Sequence, residues 1–170
     1  MPTRSRWIPE GTVVGLVAFA TVAVFYAALD LLGGRAALHT VNALGLAFTR
    51  GTVAVPPADA PVAIAWGGVL TYSLVHLGAS LAIGMLVCRL VFEAELRPMQ
   101  AQVALLFIVA GFAGTIGLVG AWTTGLRAVL PWWSIITANA LAVLAAGTVM
   151  LRRHPGFLSE MTANPRFPAA

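Results

Sequence analysis

Residues 33–51, "GGRAALHTVNALGLAFTRG", interrupt a chain otherwise made of long apolar runs, and how they are read decides how many times the chain crosses a bilayer. At about 100° per residue, Arg35, His39, Asn42, Thr49 and Arg50 gather on one side of a helix and Ala37, Val41, Leu44 and Phe48 on the other, with Leu46 out of place. Gly33 and Gly34 end the preceding run, because glycine accepts the left-handed conformation that closes helices. The roughly 15 residues that follow are too short and too polar to span lipid. The pattern predicts an amphipathic helix over residues 35–50 that lies at the membrane surface as a cap, with a re-entrant turn at Gly45 as the competing geometry. Pro56 and Pro57 then force extended chain before the next apolar run.

Around this segment stand four runs near residues 12–32, 62–91, 100–126 and 131–151, each long enough for a hydrocarbon core of about 30 Å, which takes roughly 20 helical residues. The 170 residues are 59% hydrophobic and 9% charged, where soluble domains carry about 25% charged residues. The runs are continuously apolar and do not alternate, which favours helices over a barrel, since a helix satisfies its own backbone hydrogen bonds in lipid. The expected fold is all-α: a polytopic four-helix transmembrane bundle forming one domain over residues 1–170. The first run exceeds a signal-peptide core of about 7 to 15 residues and reads as a retained span. The tail over residues 154–170 has three prolines and reads as loosely ordered.

All ten basic residues are arginines, and the net charge is +4. With the N-terminus inside, Arg4, Arg6, Arg89, Arg97, Arg152, Arg153 and Arg166 fall on the inner side and Arg35, Arg50 and Arg127 on the outer. That bias places both termini in the cytoplasm of a cell whose inner membrane holds the chain. Trp66, Trp122, Trp132 and Trp133 mark the outer span ends, and Trp7 the inner end of the first. The arginines are too dispersed for a nucleic-acid footprint, so the lipid bilayer is the expected partner and nucleic acid is not. Cys88 is the only cysteine. It excludes an internal disulfide and thiol–disulfide chemistry within the chain.

Few side chains offer chemistry. His76 is the one ionisable group near mid-span, where such residues face the bundle interior. Tyr72, Ser73 and Ser80 share its helical face, and Asn139 in the fourth run is the expected partner in a small polar core. On the outer side, Arg35, His39 and Asn42 form a candidate surface for an anionic head group or a partner subunit. Asp30 is expected to pair with Arg35 or Arg127. His39 and His76 stand roughly 15 Å apart in depth at 1.5 Å per residue, too far to ligate one iron from opposite sides. The spacing of the histidines and carboxylates matches no metal site, and the scattered hydroxyls form no nucleophile–base pattern. Gly111, Gly114, Gly117 and Gly120 make a slanting small-residue band in the third run, expected to support close helix packing.

From Asp30 to Gly51 the segment "DLLGGRAALHTVNALGLAFTRG", set after one span and before a His-bearing second span, resembles a group of small, functionally uncharacterised bacterial membrane proteins. They carry an Asp-Leu, Gly-Arg, Thr, Leu-Gly series at this place, with Pro where Ala36 stands. The resemblance implies a four-span bacterial integral membrane protein and no particular activity or ligand. Three readings of function follow from the residues. The leading one is a non-catalytic membrane subunit or accessory protein that packs with other membrane subunits or with copies of itself, and needs no cofactor. The second is a small transporter or ligand-binding protein that uses His76 and the cap helix. The third is an electron-transfer subunit that binds haem or quinone.

Overall fold

The computed structural model describes residues 7–51, 63–96, 101–127 and 129–154. These form five helices: α1 (Trp7–Leu32), α2 (His39–Arg50), α3 (Trp66–Leu96), α4 (Ala101–Trp122) and α5 (Trp132–Arg153), with a 3-10 turn at Thr124–Leu126 before α5. α1, α3, α4 and α5 are long and apolar enough to cross a membrane, and α2 is the short cap helix. The segment with Pro56 and Pro57 lies outside the described residues, as do Arg4, Arg6, Arg97, Arg166 and the tail beyond His154.

Two boundaries differ from the periodicity. α1 is already helical at Trp7, the first described residue, ahead of the expected start near residue 12, and it contains Pro9. α2 begins at His39, not at 35. Gly34 takes φ 70°, the chain reverses, and the Arg35 N–H donates to the Asp30 carbonyl at 2.8 Å. Residues 35–38 are thereby committed to a turn. Gly51, at φ 65°, closes α2 by donating its N–H to the Ala47 carbonyl at 3.0 Å.

α1 and α3 form the tightest pair, antiparallel and nearly in backbone contact. A Cβ added to Gly84 of α3 would lie 2.5 Å from the Gly11 carbonyl oxygen and 2.6 Å from the Gly15 nitrogen of α1. Gly11 and Gly15 are four residues apart, a small-xxx-small pair that lets Gly84 seat between them. Lipid tails are as apolar as the side chains they would replace, so helices in a bilayer associate through van der Waals packing at such close approaches. The same device seats the cap. Gly45 of α2 meets Gly68 of α3 backbone to backbone, so the glycine weighed as a re-entrant turn is instead a helix-crossing point inside a continuous α2.

α5 buries a seam of Ser134, Ile135, Ala138, Ala142, Ala146 and Met150 along the bundle. Two buried apolar clusters result. One, around Leu44, Leu126, Leu130 and Ile135, lies beneath the cap. The other, around Val14, Cys88, Val91, Ala94, Ala146 and Met150, lies at the opposite end, where α1 begins and α3 and α5 finish. α4 stands apart, touching α3 and α5 only thinly, with 6% of its span buried against 33% for α5.

Candidate functional site

The polar residues of this chain gather at three depths. At the cap end, Gly34 turns the chain so that the start of α2 comes back over the last turn of α1. Asp30 is completely buried there. Its carboxylate accepts from the Thr40 N–H and the Thr40 hydroxyl, both at 2.7 Å, and pairs with the Arg35 guanidinium at 3.0 Å. Of the two partners the sequence allowed, Asp30 takes Arg35. Arg127 instead donates to the Gly120 and Leu130 carbonyls and lies 4.1 Å over the Trp132 ring. α2 has Leu38 at its N-cap and no capping side chain of its own. Asp30 serves as that cap from another helix, with its negative charge at the positive end of α2.

Asn42 closes the other side of the cap. Its Oδ1 accepts from the Ala65 N–H at 2.9 Å, and its Nδ2 donates to the Ala63 carbonyl at 3.4 Å. It thus ties α2 to the non-helical backbone before α3 through both halves of its amide. The expected outward-facing surface of Arg35, His39 and Asn42 therefore does not form. Arg35 is folded onto Asp30 and Asn42 is buried; His39 is half-buried, with Thr49 and Arg50 exposed farther along α2. Arg35 and Ala37 precede the helix, and within it Asn42 is buried while Phe48 of the apolar side is exposed. Burial does not follow the wheel, because unpaired backbone groups of the flanking turns take up polar side chains.

At mid-depth His76 is half-buried between two rings, with Phe19 at 5.2 Å and Tyr72 stacked at 6.0 Å between centroids. Tyr72 also stacks with Trp122 at 6.5 Å, and Trp122 meets Phe48 of α2 edge-on at 5.9 Å. A ladder of rings runs from the cap to the middle of the bundle. The expected pairing of His76 with Asn139 does not form. The Asn139 amide donates to the Ile135 carbonyl one turn back at 2.8 Å, and the Thr115 hydroxyl likewise donates to Gly111 at 2.8 Å. Own-helix carbonyls are the nearest acceptors in lipid, and they satisfy these groups before another helix does. Ser73 and Ser80 are half-buried, and among the described residues neither hydrogen-bonds the imidazole.

At the end opposite the cap, His154 closes α5 and turns inward, its side chain 8% exposed. Nε2 lies 2.8 Å from Glu10 of α1, and Nδ1 lies 2.8 Å from Glu95 of α3. The Phe92 ring meets the imidazole edge-on at 4.9 Å. The expectation of a loosely ordered tail from residue 154 fails at its first residue. Sequence reading missed the whole trio, although one signal was present: two lone carboxylates at span ends on the side of the chain that also carries His154. The two carboxylates sit across the ring from each other and do not converge on a common point. Among the described residues, no group of three His, Cys, Asp or Glu side chains is arranged to hold a metal ion.

The glycine band of α4 also differs from its expected role within the chain. Only Gly120 meets a neighbour, the Trp132 ring; beside Gly111, Gly114 and Gly117 nothing lies within 4 Å of where a Cβ would be. The close-packing glycines are Gly11, Gly15, Gly84, Gly45 and Gly68 instead.

Fold and site together define an all-α, multi-pass membrane protein: four spanning helices, a cap helix tied down by Asp30 and Asn42, and a spanning helix with an open glycine face. Comparison with known proteins finds no matching protein family, curated protein or solved structure.

Proposed function

We propose that the chain is a non-catalytic integral membrane subunit that docks a partner subunit's transmembrane helix on α4. The observation that carries this reading is the open face of Gly111, Gly114 and Gly117 on a helix its own bundle barely covers. Small residues in a lipid-spanning helix permit backbone approach, and here nothing within the chain uses it. α4 has no charged residue, so its occupant is an uncharged apolar helix with small residues of its own. The polar groups at the cap are engaged in holding α2, which favours scaffolding over ligand capture. The arginine distribution supports a bacterial inner-membrane location, with the cap outside and both termini cytoplasmic. The resemblance over Asp30 to Gly51 agrees with a bacterial source.

Photo-crosslinking residues placed at Phe107 and Leu118, exposed positions one turn before Gly111 and one turn after Gly114, test this in native membranes. The expected product joins the chain to one distinct membrane subunit, and Gly114→Ile removes both that product and co-purification of the partner. A purified monomer crosslinked only to lipid would overturn the proposal. So would a product of twice the chain's mass alone, which replaces the partner subunit with a second copy.

A further inference from the structure

We propose that Glu10, His154 and Glu95 form a proton-held latch that locks α1, α3 and α5 together at the end opposite the cap, and that opens as pH rises. The argument is a count of protons. Each ring nitrogen of His154 lies 2.8 Å from a carboxylate oxygen, so each link needs one hydrogen between its two heavy atoms. An ionised carboxylate only accepts, and a neutral imidazole has one N–H and one lone pair. Both links form together when the trio holds two protons. These can be an imidazolium between two carboxylates, or a neutral imidazole that donates to one carboxylate and accepts from the protonated other. The two arrangements interconvert by moving a proton along one hydrogen bond, and both leave the trio with a net charge of −1.

Losing one of these protons leaves a ring lone pair facing a carboxylate across 2.8 Å. That contact is repulsive, and the helix on that side is released. Adding a third proton at low pH keeps both links, because a protonated carboxyl still accepts through its carbonyl oxygen. Opening is therefore expected only on the alkaline side. The links join residues 144 and 59 positions apart, so the latch ties the last turn of α5 to both other helices.

The surroundings bear on the sign. From α3, Cys88 is buried in the adjoining cluster, while Arg89 and Glu93 are exposed and neutralise each other at 3.0 Å. From α5, Arg152 and Arg153 are exposed, with Arg153 close enough for its charge to reach Cys88. At this end α1 presents Glu10, with Tyr26 and Asp30 far off toward the cap, and α4 has no titratable side chain. Among the described residues, no cation bonds either carboxylate in place of the imidazole.

The test uses the full chain in lipid nanodiscs, with Cys88→Ala and two pairs of spin labels at exposed positions, Ile8 with Arg152 across α1 and α5, and Leu86 with Arg152 across α3 and α5. The distance distribution within each pair is followed against pH beside the imidazole proton resonances of His154, assigned by their loss in His154→Leu. The expected result is two narrow distributions, of which at least one broadens as one of the two bridging protons disappears. Glu95→Gln is the decisive variant. Its amide N–H donates to the ring lone pair without titrating, so both distributions should stay narrow at alkaline pH. A Glu95→Gln protein that opens at the same pH as the parent overturns the proposal. So does the finding that both distributions stay unchanged while His154 loses its proton.

Discussion

Replacing Asp30 by asparagine isolates what the cap anchor contributes. The side chain keeps its size but exchanges a charged acceptor for an amide, so it can accept from one Thr40 donor and meets Arg35 as another donor. Two charge-assisted links are lost or inverted of the three in place. At about 1.5 to 3 kcal/mol each, with the lower end appropriate because the Arg35 side chain retains 17% exposure and can be rehydrated, the change destabilises the docked cap by about 3 kcal/mol. One factor of ten corresponds to about 1.4 kcal/mol, so amide hydrogen exchange in α2 should accelerate by about a hundredfold. The Thr40 amide keeps an acceptor, a neutral amide oxygen at the Oδ2 position, and should accelerate with the rest of α2. Exchange in α5 should barely change, since Asp30 holds a local unit. The assay is site-resolved exchange in nanodiscs, with Arg35→Gln as a milder companion expected to give roughly tenfold. Acceleration of less than about threefold in α2, or equal acceleration in α2 and α5, would refute the reasoning.

Two further outcomes follow from the packing and the second anchor. Gly84→Leu should lower unfolding stability in detergent titration by at least the 1 to 3 kcal/mol typical of overpacking, because its new atoms collide with backbone at Gly11 and Gly15. Stability unchanged within about 0.5 kcal/mol would mean that α1 and α3 are not in backbone contact there. Asn42→Ala removes the acceptor of the Ala65 N–H and should speed exchange of that amide by about tenfold, for a loss of about 1 to 2 kcal/mol. An unchanged Ala65 amide would show that Asn42 does not hold the segment before α3.

Much of the architecture was legible because its signals are local. Continuous apolar runs report lipid exposure directly, and a run of about 20 residues states its own length against the bilayer. The start of the cap was legible for a similar reason: Gly33 and Gly34 were expected to end the first run, and Gly34 turns the chain there with positive φ. Asp30 was readable as paired to Arg35 or Arg127, and the structure pairs it with Arg35, about one turn of chain away. The choice of packing glycines was not readable. The band in α4 has more glycines than the pair in α1, yet Gly11 and Gly15 make the contact, because small residues permit close approach but do not choose the helix that approaches. His76 and Asn139 were likewise matched by depth and polarity, while each side chain's surroundings depend on how its helix is rotated.

The amino-acid sequence by itself determined four lipid-spanning helices, an amphipathic helix between the first two, and the tryptophan and arginine positions at their ends. Each of these depends on hydropathy and backbone preference within a few turns of chain. Only the tertiary structure decided that Asn42 turns inward to the backbone before α3, that Gly84 seats between Gly11 and Gly15, and that His154 stands between Glu10 and Glu95. The physical reason is range. Hydrogen bonds and van der Waals contacts act over a few ångströms between residues far apart in the chain, and nothing in local periodicity records which distant group will supply the other half.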